Sequence, residues 1–447
     1  MSGLITQLSR SLLSGSSAST SRALSTSAVA AKAAAVKPST AAKKRNNPSA
    51  KARQANAATK GGGRTKSTGL ALKTTLAREP ADLTDLVQLY PESVIPLNVG
   101  KASTFPRNTY DQLKTFGLPV RLEKELAIGS PASVVRQATL DLVQMLEKSK
   151  GGSSKNARFL LNGVRGSGKS TLLVQAVSYA LESGWIVLYV PRAEKWVDST
   201  AQFSYNAASQ TFHQTETSAG LLSKLHSVNR DRLATITLPE ALTFNEYKFA
   251  AGSKLDELVS AGSKEELIAV PVLEKVLEIL GKQTQIPILV AIDDVQTLFG
   301  TTKYRTPTYE PIEPYYLSAP RLFLDYLSGR KSFANGAIVT APSYTKTTIL
   351  PSVNFYKGFD IQSRTPITEY TKFDEHHLAH AESGIKKVEI PFGLSGAEAV
   401  AMFELWTRKG WVSNGADDVF MGGFTAAAGN PLELARGWTV SHQSHIA

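Results

Sequence analysis

Short apolar runs recur between residues 158 and 390, each bounded by polar residues, glycine or proline. They are too short for helices that cross a core, so they predict buried strands. The runs lie at 158–162, 185–190, 286–294, 336–341 and 387–390. Segments with helical spacing separate them. Strands that alternate with helices predict βαβ units, and therefore an α/β fold with a parallel sheet flanked by helices.

Helical periodicity and end signals predict the helices next to these strands. They are expected at 131–148, at 169–183 with a stop at Gly184, from Ser395 to Gly410, and from Pro431 onwards. Ser395 and Glu398 have the spacing of a capping box, and Pro431 suits the first position of a helix. Residues 199–285 are polar and favour helix, and they contain no motif that indicates a function.

Changes in composition and in the pattern of elements divide the chain into five segments. Residues 1–70 are basic and contain no acidic residue, and they are predicted to be a mitochondrial transit peptide over 1–24 and a disordered basic tail over 25–70. An N-terminal extension over 71–150, an α/β core over 151–391 and a C-terminal helical lid over 392–447 follow. No run of 18 apolar residues occurs in the sequence, so we expect no membrane-spanning helix.

The charge of the chain is concentrated at its N-terminus. The 447 residues include 50 Lys and Arg and 38 Asp and Glu, but residues 1–70 hold 12 of the basic residues and none of the acidic ones. Acid-free, Ser- and Ala-rich composition is typical of import into mitochondria or plastids. Leu4, Leu8 and Leu12 follow helical spacing, and cleavage is expected near Leu24. The alternative is a plain disordered basic tail, which could meet a polyanion such as RNA.

The absence of cysteine from the sequence excludes disulfides, cysteine-ligated zinc, iron–sulfur clusters and a thiol nucleophile. Beyond residue 70 the chain carries equal numbers of basic and acidic residues. A strongly basic globular domain, which would indicate binding to nucleic acid by bulk electrostatics, is therefore not present.

A complete phosphate-binding motif follows the first predicted strand. Gly163, Gly168, Lys169 and Ser170 match the Walker A pattern, between a strand and a helix as the motif requires. The glycines allow backbone N–H groups to surround phosphate oxygens, at the positive end of the helix dipole. The predicted nucleotide contacts are Gly163, Val164, Arg165, Gly166, Ser167, Gly168, Lys169, Ser170 and Thr171. The Ser170 hydroxyl is expected to ligate Mg²⁺.

Two acids end the third predicted strand. Asp293 is expected to hold the Mg²⁺ ion with Ser170. Asp294 stands where many hydrolysing relatives have a glutamate, so it is a candidate catalytic residue, and Gln296 is a second candidate for positioning water. Thr340 and Ser343 follow as candidate sensors of the γ-phosphate, with ordinary capped residues at a strand end as the alternative.

Near the C-terminus, Asn430 and Pro431, with Arg436 about one helical turn further on, resemble the nucleotide-facing segment of the lid in AAA-like and STAND-type ATPases. An ordinary turn and helix start is the alternative. The sequence around Asp374 is a poor guanine-reading motif, because no buried strand precedes it. His376 and His380 have metal-pair spacing but match no known zinc pattern, so we predict a polar helix surface there.

The order of these features resembles that of the death-associated-protein type of mitochondrial ribosomal small-subunit proteins. The resemblance covers roughly residues 125–440 and includes Trp196 and the segment 299–302. It implies a P-loop protein in the head of the mitochondrial small subunit, near the large subunit, in the matrix. It also implies contacts with the small-subunit rRNA and neighbouring proteins, and a bound GTP or GDP with Mg²⁺. The residues themselves do not exclude ATP.

Three functions are therefore compatible with the sequence. The first is a ribosomal component that holds a purine nucleotide as a cofactor of folding and assembly and supports mitochondrial translation. The second is a free matrix NTPase that cycles through hydrolysis, in which Asp294 and Gln296 would act. The third is an RNA-binding factor that acts through the basic tail over 25–70.

Overall fold

The computed structural model describes residues 82–439, except 128, 346–348, 364–365 and 413. The predicted transit peptide and basic tail, over 1–24 and 25–70, lie outside the described residues. In the first part of the chain the elements are β1 (Val87–Gln88), β2 (Ala102–Thr104), α1 (Arg107–Phe116), α2 (Val120–Ala127), β3 (Ala132–Val134) and α3 (Gln137–Ser149). Short 3₁₀ helices occupy Pro91–Ser93, Pro96–Asn98 and Ser154–Asn156.

The middle of the chain alternates strands with helices. Its elements are β4 (Arg158–Asn162), α4 (Lys169–Glu182), β5 (Ile186–Val190), β6 (Ser204–Asn206), β7 (Thr211–His213), α5 (Thr215–Leu233), β8 (Leu242–Phe244), β9 (Tyr247–Phe249), α6 (Leu255–Lys264), α7 (Glu266–Lys282) and β10 (Ile288–Asp293). Further 3₁₀ helices follow β5 at Ala193–Trp196 and β10 at Val295–Phe299.

The remaining elements begin with a 3₁₀ helix at Pro314–Tyr316. They continue with α8 (Ser318–Ser328), β11 (Gly336–Ala341), α9 (Val353–Gly358), α10 (Glu375–Ala381), β12 (Lys386–Glu389), α11 (Gly396–Arg408), α12 (Asp417–Ala427) and α13 (Pro431–Trp438). None of the described helices is long and apolar enough to cross a membrane.

The centre of the fold is a parallel sheet in the order β12-β4-β11-β10-β5, as far as the described residues show. Successive side chains of a strand point to opposite faces, so a strand that is covered on both faces supplies side chains to two cores. On β5, Ile186 and Leu188 belong to one core while Val187 and Tyr189 belong to the other. Helices α5, α6 and α7 cover the first face, and α1, α3 and α4 cover the second. The predicted α/β architecture with a flanked parallel sheet is confirmed.

The C-terminal helices α11, α12 and α13 form a third apolar cluster with Trp406, Trp411 and Trp438. The predicted capping box opens α11: Ser395 Oγ accepts the N–H of Glu398, and the Glu398 carboxylate accepts the N–H of Ser395 at 2.9 Å. Helix α11 also packs against β2 and β3. These contacts place the C-terminal helices beside the N-terminal strands. The segment boundaries at 150 and 391 stay predictions.

Two predictions about local structure were wrong. The helix expected at 131–148 begins only at Gln137, because residues 132–134 pair antiparallel with β2. The histidines of α10 do not all lie on a polar surface, since His377 is 1% and His380 4% exposed. Residues 199–285 contain helices α5, α6 and α7, in line with their predicted preference for helix, and also the hairpins β6–β7 and β8–β9, which were not predicted.

Candidate nucleotide-binding site

The glycine-rich loop, residues 163–168, connects β4 to α4 at the carboxyl edge of the sheet, where open α/β sheets place their ligands. Gly166 and Gly168 adopt left-handed backbone conformations, with φ of 80° and 87°. A Cβ atom on Gly166 would lie 2.5 Å from Asn430 Oδ1 and 2.6 Å from Leu432 Cβ. Both the backbone conformation and the packing therefore require glycine at this position.

Lys169 is the first residue of α4 and is 6% exposed. Its ammonium group donates hydrogen bonds to the carbonyl oxygens of Gly163 and Val164, both at 2.8 Å, and lies 4.8 Å from the ring centroid of Tyr344. The side chain thus turns back over the loop. The positive charge of Lys169 therefore lies at the N-terminus of α4, where the helix dipole also favours an anion.

A cavity of about 560 Å³ lies in front of the loop. This volume is within the range of sites for small molecules and cofactors. The predicted site residues that line it are Gly166, Ser167, Gly168, Lys169, Ser170, Thr171, Asp293, Asp294, Ser343 and Pro431. Gly163, Val164, Arg165, Asn430 and Gln296 do not belong to its wall. The structure therefore brings both proposed Mg²⁺ ligands, Ser170 and Asp293, to the same cavity as the glycine-rich loop.

Asp293, the last residue of β10, and Asp294, which follows it, are almost fully buried, at 2% and 4% exposure. Asp293 Oδ1 accepts the backbone N–H of Asp294 at 2.9 Å, and Asp294 has a left-handed backbone with φ of 60°. Burial, and then the two carboxylates, raise the pKa of the neighbouring Tyr189 phenol. Two buried carboxylates therefore lie at this end of the cavity.

Gln296, the second catalytic candidate, points elsewhere. Its Oε1 accepts the backbone N–H of Ser343 at 2.9 Å, which ties the 3₁₀ helix after β10 to the segment after β11. Thr340 Oγ1 donates to the carbonyl oxygen of Phe159. These contacts support a structural role for both side chains.

Asn430 connects the C-terminal helices to the glycine-rich loop. Its Nδ2 donates to the carbonyl oxygen of Arg165 at 3.0 Å, while its Oδ1 accepts the N–H groups of Leu432 and Glu433 and so caps α13. The N–H of Leu432 donates to the carbonyl oxygen of Gly166 at 3.3 Å. Asn430 thus links the glycine-rich loop to the N-terminus of α13. Arg436 forms an ion pair with Glu433 on the exposed side of α13.

Arg136, the residue before α3, is a further side chain that contacts the glycine-rich loop. Arg136 is 6% exposed, and its Nη1 donates to the carbonyl oxygen of Ser167 at 2.6 Å. Its Nε lies 3.8 Å from the carboxylate of Glu398, which also accepts the N–H of Gln137. Burial lowers the pKa of Arg136, and Glu398 opposes that shift. Arg136 therefore links the glycine-rich loop to α11, and no sequence motif marks it.

The other end of the cavity was also not predicted. Helix α2 and helix α11 supply its wall, with Arg121, Glu125, Met402, Leu405 and Trp406. The indole N–H of Trp406 donates to the Glu125 carboxylate. Burial raises the pKa of Glu125, and the charge of Lys409 opposes it. An isolated glutamate in a helix carries no signal in the sequence that would indicate this position.

Comparison with known proteins shows the family. Residues 133–437 match the family model described as "Mitochondrial ribosomal death-associated protein 3". The chain belongs to this family. That finding confirms the resemblance on which the sequence analysis relied, and it places the protein at the mitochondrial ribosome, as the sequence predicted.

The chain shares about a quarter of its residues with each of three relatives over the matched regions. The chain is similar to the small ribosomal subunit protein mS29 of Schizosaccharomyces pombe, with 28% identity over 64% of this chain and 60% of that protein. The protein of the same name from Neurospora crassa is 24% identical over 74% of this chain and 72% of its own length. That from Bos taurus is 27% identical over 54% and 62%. The matched region thus spans about 60% of the first of these relatives.

Proposed function

We propose that the protein is a structural component of the mitochondrial small ribosomal subunit and that it supports mitochondrial translation while holding a guanine nucleotide, GTP or GDP, with Mg²⁺. The relatives' shared name, small ribosomal subunit protein, supports the first part. The observation that carries the second part is the glycine-rich loop with Lys169 at one cavity wall. The partners would be the small-subunit rRNA, neighbouring ribosomal proteins and the large subunit.

The residues around the cavity fit a nucleoside phosphate. A residue with a side chain cannot replace Gly166, and the start of α4 faces the cavity. Ser167 Oγ is buried and has no hydrogen-bond partner within the described part of the chain. Lys169 and the N-terminus of α4 would hold the phosphates, and Ser170 with Asp293 would hold Mg²⁺. The bound Mg²⁺ ion would reduce the repulsion between the negative phosphates and the carboxylates of Asp293 and Asp294.

The far end of the cavity favours guanine over adenine. A carboxylate accepts hydrogen bonds, and guanine presents two adjacent N–H donors at its Watson–Crick edge. Adenine presents one donor and one lone pair there, and the lone pair would be repelled by a charged Glu125. Burial raises the pKa of Glu125 and the charge of Lys409 opposes that rise, while burial lowers the pKa of Lys409 itself to about 8. Met402 and Leu405 supply apolar surface for the base.

A Glu125→Gln variant is expected to lose its preference for GDP over ADP by roughly 10- to 100-fold, since a hydrogen bond to a charged group contributes about 1.5–3 kcal/mol. Glutamine offers one donor and one acceptor, which also suit adenine. Calorimetric titration of both nucleotides with Mg²⁺ measures the change. Glu404→Gln, an exposed glutamate on α11, is the matched control. An unchanged GDP-to-ADP ratio would contradict the base assignment and leave the ribosomal role untouched.

The cycling NTPase is the second candidate. Asp294 lines the cavity, which favours it, but Gln296 is bonded to Ser343 and lies outside the wall. A cycling enzyme predicts multiple turnover that falls strongly in an Asp294→Asn variant. Retention of unhydrolysed GTP for hours, with and without ribosomes, would exclude it.

Sedimentation of the tagged protein from a mitochondrial lysate tests the ribosomal role. High salt screens loose contacts between a basic tail and RNA but does not release an integrated subunit protein. We expect the protein to migrate with the small-subunit rRNA through a high-salt sucrose gradient. Migration as a free protein would contradict the proposal and favour the NTPase. Release only at high salt would support the third function, an RNA-binding factor acting through residues 25–70.

A further inference from the structure

Two carboxylates and an imidazole meet at a second place in the fold. Glu313 precedes the 3₁₀ helix Pro314–Tyr316, while Asp374 and His377 lie at the start of α10. One ligand atom from each of the three residues lies within 4.8 Å of the other two. His377 Nε2 is 3.2 Å from Glu313 Oε2. None of these residues lines the cavity at the glycine-rich loop.

The two carboxylates of this cluster have different partners. Asp374 Oδ2 accepts the Tyr315 hydroxyl at 2.9 Å, and Oδ1 accepts the N–H groups of His376 and His377. Burial raises the pKa of Tyr315, and the charges of Asp374 and Glu313 raise it further. The Asp374 carboxylate is thus oriented by neutral donors, while the Glu313 carboxylate contacts the His377 imidazole.

His377 is the member of the cluster that solvent does not reach. The residue is 1% exposed, and its Nδ1 has no hydrogen-bond partner among the described residues. Its Nε2 contacts the Glu313 carboxylate, and its backbone N–H donates to Asp374 Oδ1. One imidazole with two carboxylates is a ligand set for a divalent transition-metal ion.

We propose that Glu313, Asp374 and His377 bind one Zn²⁺ ion. Three protein ligands leave a fourth, tetrahedral position for water. Metal–ligand distances of about 2.0–2.2 Å require the three atoms to approach more closely than 4.8 Å. Glu313, whose side chain is 20% exposed, can make that movement by rotation. Mg²⁺ and Ca²⁺ are poor candidates because hard cations prefer oxygen ligands throughout.

The ion would join two segments that are 64 residues apart in sequence, the one before the 3₁₀ helix and the first turn of α10. The pair that the sequence suggested, His376 and His380, is not part of this site. His380 Nδ1 bonds the carbonyl oxygen of His376, and its Nε2 contacts Arg330 Nη1. His376 is exposed, which makes it a suitable control position.

The test uses the full chain, produced with zinc in the medium, passed through gel filtration and assayed for zinc by mass spectrometry. We expect one equivalent of zinc in the wild type and in a His376→Gln control. Glu313→Gln and His377→Gln are expected to lose it. X-ray absorption at the zinc edge should show only nitrogen and oxygen neighbours. A Lys169→Ala variant should retain the zinc, which separates this ion from any metal held with a nucleotide.

Glu313→Gln keeps the proposal testable if the buried His377 cannot be replaced without unfolding, because Glu313 is partly exposed. Circular dichroism establishes that each variant is folded. Less than a tenth of an equivalent of zinc in the wild type would overturn the proposal. Equal zinc in the wild type and in folded Glu313→Gln would overturn it as well.

Discussion

Nucleotide binding and nucleotide-dependent stability are expected to disappear together in a Lys169→Ala variant. Lys169 holds the charge at the start of α4, and its ammonium lies over the glycine-rich loop. A ligand that binds only the folded state at 1,000 times its dissociation constant stabilises that state by about 4 kcal/mol. The wild type should therefore unfold at higher urea concentration with GDP and Mg²⁺ than without them, and the variant should not.

The comparison without nucleotide separates binding from local damage. Lys169 also bonds two loop carbonyls, so its removal could destabilise the protein directly. We expect the nucleotide-free variant to differ from the nucleotide-free wild type by far less than the nucleotide effect. Lys155→Ala, an exposed lysine before β4, is the matched control. A structural role for the nucleotide would be contradicted if Lys169→Ala unfolds at the same urea concentration as the wild type in the presence of nucleotide and assembles equally well into small subunits.

Removal of Arg136 should produce the largest loss of stability that does not involve the ligand. Arg136→Ala leaves the buried carboxylate of Glu398 without its cation and the Ser167 carbonyl without its donor. Breaking a buried ion pair in this way costs about 3–5 kcal/mol. Urea denaturation at low salt measures the change, and nucleotide affinity should fall as well because the loop loses its support.

An exposed arginine provides the control for that variant. Arg408 pairs with Asp85 at the surface, and such pairs contribute about 0–1 kcal/mol. Arg408→Ala should therefore be nearly neutral. A double variant in which Arg136 and Glu398 are both replaced by apolar residues should recover part of the loss, because no charge then remains buried. Equal effects of Arg136→Ala and Arg408→Ala would show that Arg136 does not link the loop to α11.

Structural features that depend on residues close together in the sequence were predicted correctly. Strands β4, β5, β10 and β11 are apolar runs with polar ends, and the capping box at Ser395 depends on residues three positions apart. The cluster of Arg136 and Glu398 depends instead on residues 262 positions apart, and Glu125 meets Trp406 across a similar distance. Single side chains without a motif acquire a role only through such tertiary contacts. The burial of His377 was unpredictable for the same reason, since residues from other elements cover α10.

The Asn430 contact has a consequence for the order in which the protein is completed. Ribosomes make the chain from its N-terminus, and residues 163–168 emerge long before residue 430. The side chain that bonds the Arg165 carbonyl is 265 positions further on. A nascent or truncated chain that ends before Asn430 lacks both this bond and the Leu432 contact to Gly166. The geometry described for the glycine-rich loop therefore belongs to the finished polypeptide, and fragments of the sheet alone do not contain it.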